Sequence, residues 1–280
     1  MAEQPQTGSL KSRTAIVVVF ETFRNELDEH NDRRERLIKN SRDVTNLSKK
    51  VIFLLHRIMT EDEPTPKPNN DRASRAAAKG REKLKEVQNL FASIRGEVEG
   101  DRFWRYQRNV SPGLQEYIEA LSFAHYLDTG ALISFNQVQQ SLSDEHGVPY
   151  FPLTLEDYLL GLSDLTGELM RYAISAISQR GGRTIAREVC TFVRSCRADF
   201  ETLTPYYKEL RKKQAVTSQS LQKIEDATYA IAVRTSEYDL PPEMLDDVVA
   251  MVSGSYGRGS GEDQSQRKRP RPDDDGGDDD

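Results

Sequence analysis

The chain has 280 residues, of which 36% are hydrophobic and 30% charged, with a formal net charge of −6. That length admits one large domain or two small ones with a substantial core, and the charge-rich composition suits a helical protein better than a compact α/β enzyme. The acidic balance does not exclude a nucleic-acid partner, because the six aspartates of DDDGGDDD at 273–280 account for the whole net charge. No apolar run is long enough to cross a bilayer, the longest near the start being AIVVVF at 15–20, so no membrane role is expected. No secretory leader is expected either. Two cysteines, Cys190 and Cys196, cannot build a disulfide framework and lack metal-site spacing. They read as buried, reduced thiols of an intracellular protein.

In chain order, residues 10–63 contain neither Gly nor Pro and predict one long helix or two joined without a break. Within them Val44, Leu47, Val51, Leu54, Leu55 and Ile58 recur at helical spacing. EPTPKPNND at 63–71 breaks that helix, and a second is expected from Ala73 to Val110, interrupted near Gly96 or Gly100. Ser111-Pro112 is expected to open the next helix, which runs to Asp128 and is closed by Gly130. A short helix over 134–142 and a loop at 146–152 follow. Thr154 and Asp157 form a capping-box-like pair opening a helix to Ser178. Further helices fit 184–200, 204–236 and 241–252. No period-2 strand is found, so the fold class is all-α, a bundle of roughly seven helices. Residues 1–12 are expected to be a disordered start and 13–252 the helical domain. After about Ser253 the chain lacks the apolar residues to order itself. Its basic run, with Arg267, Lys268, Arg269 and Arg271, reads as a nuclear-import signal.

Two acidic pairs carry the functional question. In GLQEYIEALSF (113–123), Glu116 and Glu119 are about 60° apart on a helix, at roughly 100° per residue. Phe123, Tyr126 and Leu127 continue the same side, so that helix is apolar nearly all round and is expected to be buried. Two adjacent carboxylates there repel each other and lose hydration, so they need cations, protons or donors. In DYLLGLSDLTGELMRY (157–172), Asp164 and Glu168 are one turn apart, with Asp157 and Gly161 on the same stripe. Gly161 costs about 1 kcal/mol relative to alanine inside a helix. It makes sense where a ligand or another backbone must come close. If the two helices face each other, four hard oxygen ligands converge, which suits Mg²⁺, with Mn²⁺ as the alternative, rather than zinc. Solvated helix faces also carry such pairs, and spacing alone does not separate the two readings.

DRFWRYQRNV (101–110) interleaves arginines with aromatics, a recipe for single-stranded RNA, and the expected contacts are Arg102, Trp104, Arg105 and Arg108. The competing reading packs the aromatics in the core and leaves the arginines as surface charge. His56, in LLHRI, reads as a core or interface histidine rather than a ligand.

Three blocks, SRDVTNLSKKVIFLLHRI (41–58), GLQEYIEALSFAHYL (113–127) and DYLLGLSDLTGELMRYAI (157–174), closely resemble the translin family. DLTGEL places the resemblance on the translin-associated factor X side of that family rather than with translin itself. The resemblance spans most of 17–250 and implies a seven-helix bundle that assembles with translin into a hollow hetero-octamer. It implies an Mg²⁺-dependent endoribonuclease acting on single-stranded RNA, with roles in passenger-strand removal during RNA silencing and in transfer-RNA precursor processing, in cytoplasm and nucleus. The family's catalytic and metal-holding acids fall on Glu116, Glu119 and Glu168, with Asp164 as the fourth. The chain departs from the pattern in a short 143–153 loop and in the C-terminal position of the import-like signal. The alternative is a non-enzymatic partner that stabilises translin or retargets it to the nucleus.

Overall fold

The computed structural model describes residues 7–61, 69–177 and 182–237. Among these there are seven α-helices and no strand: α1 (Thr7–Thr60), α2 (Asn69–Ser93), α3 (Arg102–Thr129), α4 (Phe135–Ser141), α5 (Leu155–Ile177), α6 (Gly182–Leu203) and α7 (Lys208–Glu237). A 3-10 turn, Arg95–Glu97, joins α2 to α3. The all-α, seven-helix expectation is met. The import-like run Arg267–Arg271 and the expected helix at 241–252 lie outside the described residues, as do most of the 63–71 breaker and the start at 1–6.

Helix α3 sits at the centre, packed against α1, α2 and α5, while α5 packs in turn on α6 and α7. That is why α3 is apolar nearly all round. Leu114, Tyr117, Ile118, Phe123 and Ala124 are fully buried along it.

One boundary differs from the sequence reading. Helix α3 starts at Arg102, so the expected start at Ser111-Pro112 is wrong and Pro112 lies inside the helix. The real break is at Gly100, whose φ of 60° lies in the left-handed region that glycine tolerates. The helix continues through the proline because Phe103, Tyr106, Val110, Leu114 and Tyr117 form one buried stripe across it. That burial offsets the lost backbone bond. Neighbouring groups are also covered: Ser111 Oγ donates to Gln107 O at 3.0 Å and Gly113 N donates to Ser41 Oγ of α1 at 2.9 Å.

Two glycines set how closely the helices approach. A Cβ on Gly113 would sit 2.7 Å from Ser41 O, and one on Gly161 would sit 2.7 Å from Ile118 Cβ and 3.0 Å from Gln115 O. Gly161 thus lets α5 lie directly on α3, one turn before Glu119. The expected capping pair is present: Asp157 N donates to Thr154 Oγ1 at 3.2 Å and Thr154 Oγ1 donates to Asp157 Oδ2 at 2.7 Å. Asp157 also accepts from Ser111 Oγ at 3.1 Å and Gln115 Nε2 at 2.8 Å. It is a satisfied brace between α5 and α3.

Candidate active site

Helices α3 and α5 bring the two acidic pairs to one place. Glu119 is half-buried, and its carboxyl is pushed up to about 9, first by the hydration it loses and then by the charges of Asp164, Glu168 and Glu116. Lys213 lowers it by less. Glu119 makes no hydrogen bond or ion pair among the described residues. It is the one member of the cluster without a partner of its own.

The other three acids each meet a cation or an imidazole. Glu116 Oε1 lies 3.1 Å from Lys49 Nζ. Asp164 pairs with Lys213, whose ammonium also donates to Leu160 O at 3.4 Å. Glu168 lies 2.7 Å from His56 Nε2 and accepts from Arg171 Nη1 at 2.9 Å. His56 is fixed in turn against Phe123, with ring centroids 4.7 Å apart. Helices α1, α3, α5 and α7 therefore all contribute.

His56 is a satisfied histidine, as its sequence context suggests, and the group that satisfies it is one of the four acids. Lys49 and Lys213 were missed by the sequence reading. The signal for Lys49 and His56 was available, because seven residues are two helical turns and place both on one face of α1. Lys213, in a lysine-rich stretch of a long helix, carried no such mark.

Carboxylates are the right donors for a hard divalent cation. The arrangement of side chains is that of a cluster neutralised by protein cations: among the described residues no three His, Cys, Asp or Glu side chains are placed to hold a metal ion as they stand. A bound divalent cation would take over the charge that Lys49, Arg171, Lys213 and the proton on Glu119 now balance. The donor type, though not the present arrangement of the side chains, suits such an ion.

The 101–110 segment divides between its two readings. Phe103 and Tyr106 are buried, and Phe103 stacks on Phe151 with centroids 5.5 Å apart. Trp104 is 60% exposed. Arg102, Arg105 and Arg108 are exposed beside it, and Arg102 donates to Gly96 O at 3.1 Å. The helix turn preceding the acids thus presents one aromatic face and three guanidinium groups to solvent. Cys190 and Cys196 are free and buried, as expected, and burial pushes the Cys196 thiol up to about 12, which makes it unreactive.

The sequence profile of the translin family matches residues 32–235, which is most of the chain and includes every helix that builds the cluster. The chain belongs to the translin family. Within it, the chain is 36% identical over 262 residues to the translin-associated protein X of Rattus norvegicus, covering 86% of both chains. To the translin of Mus musculus it is 23% identical over 223 residues, covering 79% of this chain and 94% of that one. The similarity to translin-associated protein X is thus the stronger of the two. Among solved structures, the AfC3PO–duplex RNA complex superposes with a TM-score of 0.57 at 21% identity, covering 78% of this chain and 99% of that one. At that identity it shares the fold of this translin-family chain.

Proposed function

We propose that this chain is the catalytic subunit of an endoribonuclease that works in complex with translin, depends on Mg²⁺ or Mn²⁺, and acts on single-stranded RNA. The observation that carries the reading is Glu119: a half-buried carboxyl with no protein partner among the described residues, crowded by three further acids, is disfavoured in its ionised form unless positive charge arrives. Glu116, Glu119, Asp164 and Glu168 would hold the ion. Bound there, it would supply Lewis-acid stabilisation of the phosphate and an attacking water of lowered pKa.

The chain's own residues do the rest. Glu119, ionised when the ion is present, would accept the proton of the attacking water. His56 and Arg171 hold Glu168, and Lys213 holds Asp164, so the carboxylates keep their orientation as the substrate enters. Trp104 offers a stacking face and Arg105 and Arg108 offer phosphate contacts at the end of α3 that leads to the acids. The names of relatives support the partner: the similar rat protein is translin-associated. A protein of the same fold was solved with duplex RNA, which makes duplex substrate a necessary arm of the test. Cleaved passenger strands and transfer-RNA precursors are the substrates to try first. Nuclear entry through Arg267, Lys268, Arg269 and Arg271 belongs to the same proposal.

The test is co-expression with translin followed by cleavage of labelled single-stranded and duplex RNA in Mg²⁺, in EDTA, and with Glu119→Gln. Cleavage should require the ion and be abolished by the substitution. Equal cleavage by variant and parent, with assembly intact, would sink the assignment. One observation favours the alternative of a non-enzymatic translin partner: Lys49, His56, Arg171 and Lys213 already engage three of the acids. Such a cluster can tie α1, α3, α5 and α7 together with no metal. In that case Mg²⁺ would leave the thermal stability unchanged.

A further inference from the structure

Three nitrogen-bearing side chains of α1, Arg42, Lys49 and His56, are spaced by seven residues, which keeps them on one stripe with about 10.5 Å from each to the next. Two of them answer acids, Lys49 meeting Glu116 and His56 meeting Glu168. Arg42 is exposed and pairs with nothing among the described residues. That sets it apart on its own helix, where Arg24, Arg33, Arg34, Arg36 and Arg57 each meet a carboxylate. None of the positions three or four residues from Arg42 is acidic, these being Ile38, Lys39, Thr45 and Asn46.

The stripe borders a groove that leads to the acids. Helices α1 and α3 run side by side in the same direction, joined in turn by His30–Tyr106, Ser41–Gly113 and Lys49–Glu116. One flank of α1 is closed by α2, where Asn40 Nδ2 donates to Leu90 O at 2.9 Å. Arg42 is about 200° from Asn40 around the helix, so it lies on the other flank with Lys49. On α3, Arg105, Arg108, Pro112, Glu116 and Glu119 fall within about 80° of one another, and Pro112 is exposed. The far flank of α3 is covered by α5, where Asp157 accepts from Ser111 and Gln115. The Ser41–Gly113 contact sets Arg42 level with Pro112, between Arg108 and Glu116.

We infer that Arg42 binds a backbone phosphate of an RNA strand lying in this groove, joining Arg105 and Arg108 in one track that ends at the four acids. The inference rests on the ribonuclease reading of that site. A polyanion is repelled by four carboxylates unless fixed positive charge lines its path. Every donor of the Arg42 guanidinium is free, and its planar fork matches a phosphate with no other group having to move. Arg42 touches none of the acids, so it positions the strand and takes no part in the chemical step.

The test uses the complex with translin, first in EDTA so that the RNA stays intact. Arginines are modified with phenylglyoxal, with and without a single-stranded oligoribonucleotide, and mapped by mass spectrometry. Arg42 should react in the free complex and be protected severalfold by RNA, while Arg57, on the α2 side, should react equally in both. In Mg²⁺, Arg42→Ala should raise KM for cleavage about 10-fold with kcat unchanged, the loss of one charged contact made equally in ground and transition states. Arg42→Lys should recover part of that loss. Lys50→Ala, which removes a charge from the α2 side, should leave KM as it is. An Arg42 unreactive without RNA, equal modification with and without RNA, or a parental KM in Arg42→Ala would each overturn the inference. Protection of Arg42 in a complex that cleaves no RNA would instead overturn the ribonuclease reading and leave the phosphate contact standing.

Discussion

His56 Nε2 lies 2.7 Å from Glu168 Oε2 although 112 residues separate them in the sequence. The pair ties the end of α1 to the acid-bearing face of α5, and the imidazole also packs against the Phe123 ring, with centroids 4.7 Å apart. A carboxylate held this way keeps its geometry when a cation or substrate arrives. His56→Ala is therefore expected to lower RNA cleavage by the translin complex, or its Mn²⁺ affinity, by about 10- to 100-fold, the usual cost of losing a group that orients a ligand. Metal titration and single-turnover cleavage check this, with unchanged helical content showing that the fold is intact.

Glu119 sets a pH dependence. Its carboxyl titrates near 9 in the folded chain against an ordinary value of 4.5. Between those values the folded chain holds a proton that the unfolded chain has released. Stability from this group is complete below about pH 4.5 and is lost as pH rises towards 9, with a slope of at most about 1.4 kcal/mol per pH unit. Denaturant midpoints of the metal-free protein should fall from pH 6 to 9, and Glu119→Gln should flatten that fall. A profile identical in variant and parent would contradict the assignment.

Mg²⁺ at saturating concentration should flatten that slope, because a bound cation favours the ionised carboxyl. Ligand-linked stabilisation is about 2.7 kcal/mol at a hundredfold excess over the dissociation constant. Melting curves at pH 8 with and without Mg²⁺, and after EDTA, measure it directly.

Gly161→Ala should destabilise the chain by about 1–3 kcal/mol, since the added methyl meets Ile118 and the Gln115 carbonyl and α5 must move off α3. Alanine is the better helix former by about 1 kcal/mol, so a net loss would show that the close approach governs this position. Chemical denaturation checks the sign. Reduced cleavage at a temperature where the variant is folded would show that the displacement reaches Glu119.

Trp104→Ala should weaken RNA binding by about 1–3 kcal/mol, the usual worth of one base stacked on an aromatic face. Arg105→Ala or Arg108→Ala should reduce the salt dependence of binding by about one phosphate contact each. All three side chains are exposed, so stability should stay within about 0.5 kcal/mol of the parent. Binding isotherms at two salt concentrations separate the effects.

Much of the architecture was legible in the chain. The glycine- and proline-free run of 10–63, the Gly130 cap and the Thr154–Asp157 pair marked helices locally, because periodicity and capping act over a few residues. The start of α3 was misread for the opposite reason. Pro112 is a local stop signal, and it was overridden by the buried stripe from Phe103 to Tyr117, whose weight comes from packing against other helices.

The sequence by itself determined the acids Glu116, Glu119, Asp164 and Glu168, the nearly all-round apolar character of the helix bearing the first two, and the glycine that permits a close neighbour. Only the tertiary structure decided that Lys49, His56 and Lys213 answer those acids, that Glu119 is left without a partner, and that Trp104 rather than Phe103 faces solvent. The physical reason is range. Helical periodicity is written into neighbouring residues, whereas charge balance in a half-buried cluster depends on groups as far as 112 residues apart that meet only when the bundle closes.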